Sequence, residues 1–118
     1  EWLSDATKEV KSFIQRGLRG YADCDLWSFD YYLRTIISKG ILDLANHHTG
    51  YPGGLTNLKW TKILRTISKG FDIVNKVDNK VTNKNESIFK YEVEIKKAFK
   101  QEKEAFKLLS RYFDYLWY

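Results

Sequence analysis

The densest gathering of reactive side chains lies in the run Gly20-Tyr21-Ala22-Asp23-Cys24-Asp25-Leu26-Trp27-Ser28-Phe29-Asp30-Tyr31-Tyr32-Leu33, which holds three carboxylates, a thiol and five aromatic rings. Asp23 and Asp25 stand where a helix begins, and there a carboxylate accepts backbone N–H groups and opposes the macrodipole. Capping accounts for both without catalysis. Asp30 is different: at 100° per residue it lies about 40° from Leu26 and about 20° from Ile37, on the face those residues give to a core. A carboxylate at that position is expected to be at least partly buried, and it must then find donors or lose its charge. Arg34 one turn later, Arg16 or Arg19 from the preceding segment, or an indole N–H could serve. One reading makes Asp30 a polar anchor between helices; the other makes it the floor of a small-ligand or enzymatic pocket lined by Trp27 and Tyr31, with Arg34 beside it.

The other candidates are sparse. His47 and His48 are adjacent at the entry to a loop, with Asp43 four residues before His47, whereas a zinc site draws ligands from converging elements. Cys24 has no histidine near it in sequence, so it does not read as a nucleophile. Gly50-Tyr51-Pro52-Gly53-Gly54 lacks the Lys-Ser/Thr that completes a phosphate-cradling loop. The expectation is therefore no catalytic set, no metal and no cofactor.

The formal charge of +5 has an address. Residues 1–58 carry 6 basic and 7 acidic side chains, residues 59–84 carry 7 and 2, and residues 85–118 carry 7 and 6. On a helical wheel Lys62, Arg65, Lys69, Lys76 and Lys80 fall within about 60° of one another, opposite the apolar side of the same segment. Such a row could follow phosphates with a salt-dependent affinity, which is the nucleic-acid alternative. The solvated face of an amphipathic helix explains it equally well, and the aromatics that would stack on bases lie on the other side.

At the end of the chain Tyr112, Phe113, Tyr115, Trp117 and Tyr118 put five aromatics in seven residues. That is more than one face of one helix can bury. Either the fold wraps this end, or an exposed patch remains for a protein partner or a second copy.

These residues are positioned by helices. Ser4 or Asp5 can open a first helix carrying Val10, Phe13, Ile14 and Leu18, ended by Gly17 and Gly20. A second, capped by Asp23, runs through Leu44 with an apolar arc wide enough for a central helix contacted from several sides, and Gly40 could bend it or mark a close crossing. Asn46 to Gly54 reads as a loop. Thr56 caps a third helix with Trp60, Ile63, Leu64, Ile67, Phe71 and Val74 on one face, and Asp78 to Glu86 reads as a polar connection. The last segment repeats Ile88, Ile95, Glu102, Leu109 and Leu116 every seven residues, about 30 residues or ~45 Å if continuous, broken only by Glu102. No alternating strand pattern occurs. The fold class is all-α: a compact bundle of four helices with a long C-terminal helix, residues 1–118 forming a single domain.

A chain of 118 residues with one cysteine can bury a single core without disulfides or zinc, which excludes the disulfide-rich and zinc-finger classes. No uninterrupted apolar run is long enough to span a bilayer, and Glu1-Trp2-Leu3-Ser4 lacks the basic and apolar regions of a signal peptide, so no membrane partner and a cytoplasmic setting are expected.

Four motifs spread over nearly the whole chain belong together: Gly20-Tyr21-x-Asp23-x-Asp25-x-Trp27-x-x-Asp30-Tyr31-Tyr32-Leu33, His48-x-Gly50-Tyr51-Pro52, Thr56-x-x-x-Trp60-x-x-Ile63-Leu64 with Gly70-Phe71, and Leu108-Leu109-x-x-Tyr112-Phe113-x-x-Leu116-Trp117. In these the chain resembles a family of small helical proteins encoded by tailed bacteriophages. In that pattern Ser often stands at the position of Ala22 and acidic residues at those of Lys59 and Lys62, so this chain departs there. The resemblance implies the cytoplasm of an infected host cell and brings no activity with it. The leading expectation is a non-enzymatic accessory protein that binds a host or phage protein, or itself, through Tyr112, Phe113, Tyr115, Trp117 and Tyr118.

Overall fold

The computed structural model describes residues 2–84 and 88–117. Helix α1 spans Trp2–Arg19, a 3-10 turn spans Asp23–Ser28, α2 spans Phe29–His47, α3 spans Asn57–Lys84, α4 spans Ile88–Tyr112, and a second 3-10 turn covers Phe113–Tyr115. Among the described residues there is no strand, so the chain is all-α with four helices.

Local chemistry sets the boundaries. Helix α1 runs through Gly17 and stops at Gly20, whose positive φ of 90° suits a residue without Cβ and whose N–H donates to the Arg16 carbonyl at 2.9 Å. Thr56 caps α3 as expected, its Oγ1 accepting the Lys59 N–H at 3.2 Å. Helix α3 then continues to Lys84 instead of yielding to a connection at Asp78. Val77 is buried, and Asp78 accepts the Tyr91 hydroxyl at 2.8 Å, so contacts to α4 hold this polar stretch helical. Helix α4 ends at Tyr112, short of the continuous helix through Leu116 that the heptads suggest.

The chain divides into two compact units, residues 1–33 and 34–118. In the second, α3 is the central element. Its fully buried Trp60, Leu64, Ile67 and Phe71 pack with Ile41 and Ala45 of α2 and Ala105 of α4. A second cluster joins Val74 and Val77 to Ile95 and Ala98. This corrects the expectation of a central α2, whose buried residues are Ser38, Ile41 and Ala45 while Ile36 is exposed. The close crossing also lies elsewhere. A Cβ on Gly40 would meet nothing within 4 Å, whereas one on Gly70 would come within 2.3 Å of the Ala105 Cβ, so the bare backbone of α3 at Gly70 packs directly on Ala105 of α4.

The first unit holds α1 against the 3-10 turn by polar contacts. Gln15 Nε2 donates to Asp23 Oδ2 at 2.9 Å, and the Asp23 N–H donates to Gln15 Oε1 at 2.9 Å. The Arg19 guanidinium pairs with Asp23 and lies 4.4 Å over the Tyr21 ring. Tyr32 donates its hydroxyl to the Gly20 carbonyl, and Phe29 sits between Tyr21 and Tyr32 with ring centroids 6.2 and 6.1 Å away.

Candidate interaction surfaces

In the Gly20–Leu33 run the carboxylate held most firmly is Asp25. It is buried and takes a bidentate pair from Arg16, Nη2 to Oδ1 at 2.7 Å and Nε to Oδ2 at 2.9 Å, while Oδ2 also accepts the Ala22 N–H at 2.8 Å. That last bond is the carboxylate half of a capping box, and Ala22 has no side-chain oxygen to supply the other half. The Arg16 hydrogen bond, then the Ala22 N–H, hold the Asp25 carboxyl below its usual range against the opposing effect of burial. Asp23 is shifted the same way by Arg19 and then Gln15.

Asp30 does not take the expected place. It is exposed, Tyr31 is exposed, and Trp27 is 91% exposed. Leu26 is no guide to the core face, because residues 23–28 form a 3-10 turn that advances about 120° per residue and Leu26 is itself exposed. Ile37 does share a face of α2 with Asp30, but that face packs on the core at Ile37 and is open at Asp30. Arg34 is the member of that group that is largely buried, and Glu102 of α4 faces it: Nε to Oε2 at 2.5 Å and Nη2 to Oε1 at 3.2 Å. The buried carboxylate of the second unit is thus Glu102, which the sequence had marked as the single polar break in the heptad.

The histidines serve the backbone. His48 bridges the Gly50 carbonyl at 3.0 Å and Thr61 Oγ1 at 2.8 Å, pinning the loop to α3, and His47 Nδ1 lies 2.9 Å from the Asp43 carbonyl. Cys24 is exposed, with Ser12 Oγ at 3.5 Å and Arg16 Nη2 at 3.7 Å. Among the described residues no three His, Cys, Asp or Glu side chains converge on a point that could hold a metal ion.

The C-terminal aromatics separate into two kinds. Tyr112 is half-buried and stacks edge-on against Trp60, with centroids 5.5 Å apart, and Leu116 packs into the same core. Tyr112 therefore anchors this end to the core and leaves only part of its ring open to a partner. Phe113 and Trp117 are both 64% exposed, and Tyr115 is exposed as well. Tyr115 and Trp117 border the Gly50–Gly53 loop, where Pro52 is buried. Tyr118 lies outside the described residues.

Phe113 also forms part of an apolar groove of about 680 Å³ that sequence reading missed. Ile36, Ile37, Gly40, Ile41 and Leu44 of α2 form one wall, Leu109, Phe113 and Leu116 the other, and Asp43 and His47 contribute its polar lining. The signal was present: Gly40 interrupts the apolar surface of α2, and a missing side chain there leaves space.

The basic row on α3 is only partly open. Lys62, Arg65, Lys69 and Lys76 are exposed and Lys80 is half-buried. Arg65 donates to Asn46 Oδ1 at 3.0 Å, Lys76 pairs with Asp72 at 3.0 Å, and Lys80 lies 3.6 Å from Glu94.

No described helix is long and apolar enough to cross a membrane. No family model, curated protein or solved structure matches the chain.

Proposed function

We propose that the chain works by binding protein, as a non-enzymatic accessory protein of the kind tailed bacteriophages encode, acting in the cytoplasm of the infected host. The observation that supports this reading is Phe113: 64% exposed, it nevertheless forms a wall of the groove between α2 and the end of α4. A ring in that position stays wet in the free protein and gains most from a partner that covers it, which is how aromatic anchors come to dominate interfaces. Tyr115 and Trp117 extend the same end of the unit, and Tyr112 supports them from within. The partner is a host or phage protein, or a second copy.

A photo-crosslinking side chain placed at position 113 tests this in infected cells. The expected result is one discrete adduct, either with a single protein or as a dimer of the chain, and no matching adduct from the same group placed at position 76 on α3. Identical product patterns from both positions would overturn the reading.

A further inference from the structure

Helix α4 carries a basic face that the linear charge count conceals. Residues 85–118 hold 7 basic and 6 acidic side chains, close to balance, but the fold uses the acids unevenly. Glu102 is buried against Arg34 of α2, and Glu94 lies 3.6 Å from Lys80 of α3, so both point toward neighbouring helices. Lys96, Lys100, Lys103, Lys107 and Arg111 all stand exposed. Their spacing keeps them within about 80° of arc, opposite the buried Ala98 and Ala105, along about 22 Å of helix. Among the described residues no carboxylate pairs with Lys96, Lys100 or Lys103, and the one ion pair in the row joins Lys107 to Glu104 at 3.4 Å with both groups exposed, which neutralises little.

Two aromatic rings flank this row on one side. Phe99 and Phe106 sit about 40–80° around the helix from Lys96 and Lys103. Both are exposed, and Phe106 is held from beneath by Phe71, edge to face with centroids 4.7 Å apart. The aromatics of α3, Trp60 and Phe71, are buried away from its row, which shares two of its five cations with Asp72 and Glu94.

We propose that this face of α4 binds single-stranded nucleic acid. The cations follow the phosphodiester backbone, and Phe99 and Phe106 meet unstacked bases. A duplex keeps its base faces covered and would leave the rings unused. An acidic protein surface would need the charges without the rings beside them.

Fluorescence anisotropy with a labelled oligothymidylate of about 20 nucleotides is the test. Four neutralised phosphates at ~0.7 each give a slope near −3 in log affinity against log salt, so affinity should fall about 50-fold between ~50 and ~200 mM salt. Reversing charge with Lys100→Glu and Lys103→Glu should weaken binding about tenfold or more, and the milder Lys100→Gln with Lys103→Gln should act in the same direction. Phe99→Ala should weaken it about fivefold with the salt slope unchanged. Lys62→Glu with Lys69→Glu on α3 should stay within about twofold of the parent, and circular dichroism should show parental helicity in every variant. No binding at low salt, parental binding by the α4 charge variants, or tighter binding of a duplex with no effect of Phe99→Ala would each overturn the proposal.

Discussion

Arg34 and Glu102 stand 68 positions apart and meet in a bidentate pair that ties α2 to α4, with side chains 16% and 9% exposed. Removing one partner of such a pair leaves a poorly solvated charge behind, while replacing both with apolar groups of similar size is often neutral or better. Glu102→Ala should therefore cost about 3 kcal/mol in urea unfolding, and Arg34→Met with Glu102→Leu should lie within about 1 kcal/mol of the parent. If the double replacement lost as much as the single one, the pair would be contributing net stability and not merely compensating its own burial.

Gly70 sets how closely α3 and α4 approach. A methyl there would meet the Ala105 Cβ at 2.3 Å and the Gln101 carbonyl at 3.1 Å, neither of which is the flexible end of a side chain. Gly70→Ala should cost about 1–3 kcal/mol, even though alanine is the better helix former. Adding Ala105→Gly should recover part of that loss by removing the opposing methyl. Thermal melts of the two variants decide it, and a Gly70→Ala protein as stable as the parent would mean that the helices separate at no cost.

Helix count and type were legible because long apolar periodicities survive any local error: Trp60, Leu64, Ile67, Phe71 and Val74 form a stripe that only one face of α3 can bury. Asp30 was misplaced partly because a 3-10 turn shifts the phase between Leu26 and α2, and chiefly because a wheel shows which face Asp30 shares with Ile37 but not how far along α2 that face is covered. Glu102 was visible as a polar break, but its partner was not, since nothing in a sequence pairs positions 34 and 102 except the fold itself. The groove at Phe113 left only Gly40 as its trace, and the cationic face of α4 left none in the charge count. Both depend on which residues a neighbouring helix covers, and counts along the chain treat inward and outward side chains alike.

The Asp25 carboxyl, held below its usual range chiefly by Arg16, makes the first unit acid-sensitive. A depressed folded pKa contributes stability that is complete above the unfolded value near 3.9 and is lost as pH falls through the lower folded value. The Ala22 amide, which donates to Asp25 Oδ2, is the reporter. Its NMR shift and exchange protection should hold at about pH 5 and change together well below pH 4. Asp25→Asn should abolish this acid step, and persistence of the step in that variant would assign it to another group.

Tyr91 gives the opposite dependence at the other end of the pH scale. Its hydroxyl donates to Asp78 Oδ1 at 2.8 Å, and that bond, followed by burial, raises the phenol above its ordinary value. The folded chain therefore holds this proton more tightly than the unfolded chain does. The resulting stability is complete below about pH 10 and is lost as pH rises through the raised folded pKa. Tyr91→Phe should cost about 1 kcal/mol at neutral pH, the scale of one hydrogen bond, and should flatten the alkaline limb of the stability curve. The chain has eight tyrosines, so the phenolate must be read as the difference between the ultraviolet titrations of the parent and of Tyr91→Phe. Asp78→Asn keeps an acceptor but removes its charge, so the Tyr91 step should move back toward the ordinary tyrosine value. If it stayed raised, the bond to a neutral acceptor together with burial would be holding the proton, and the Asp78 charge would not be its cause.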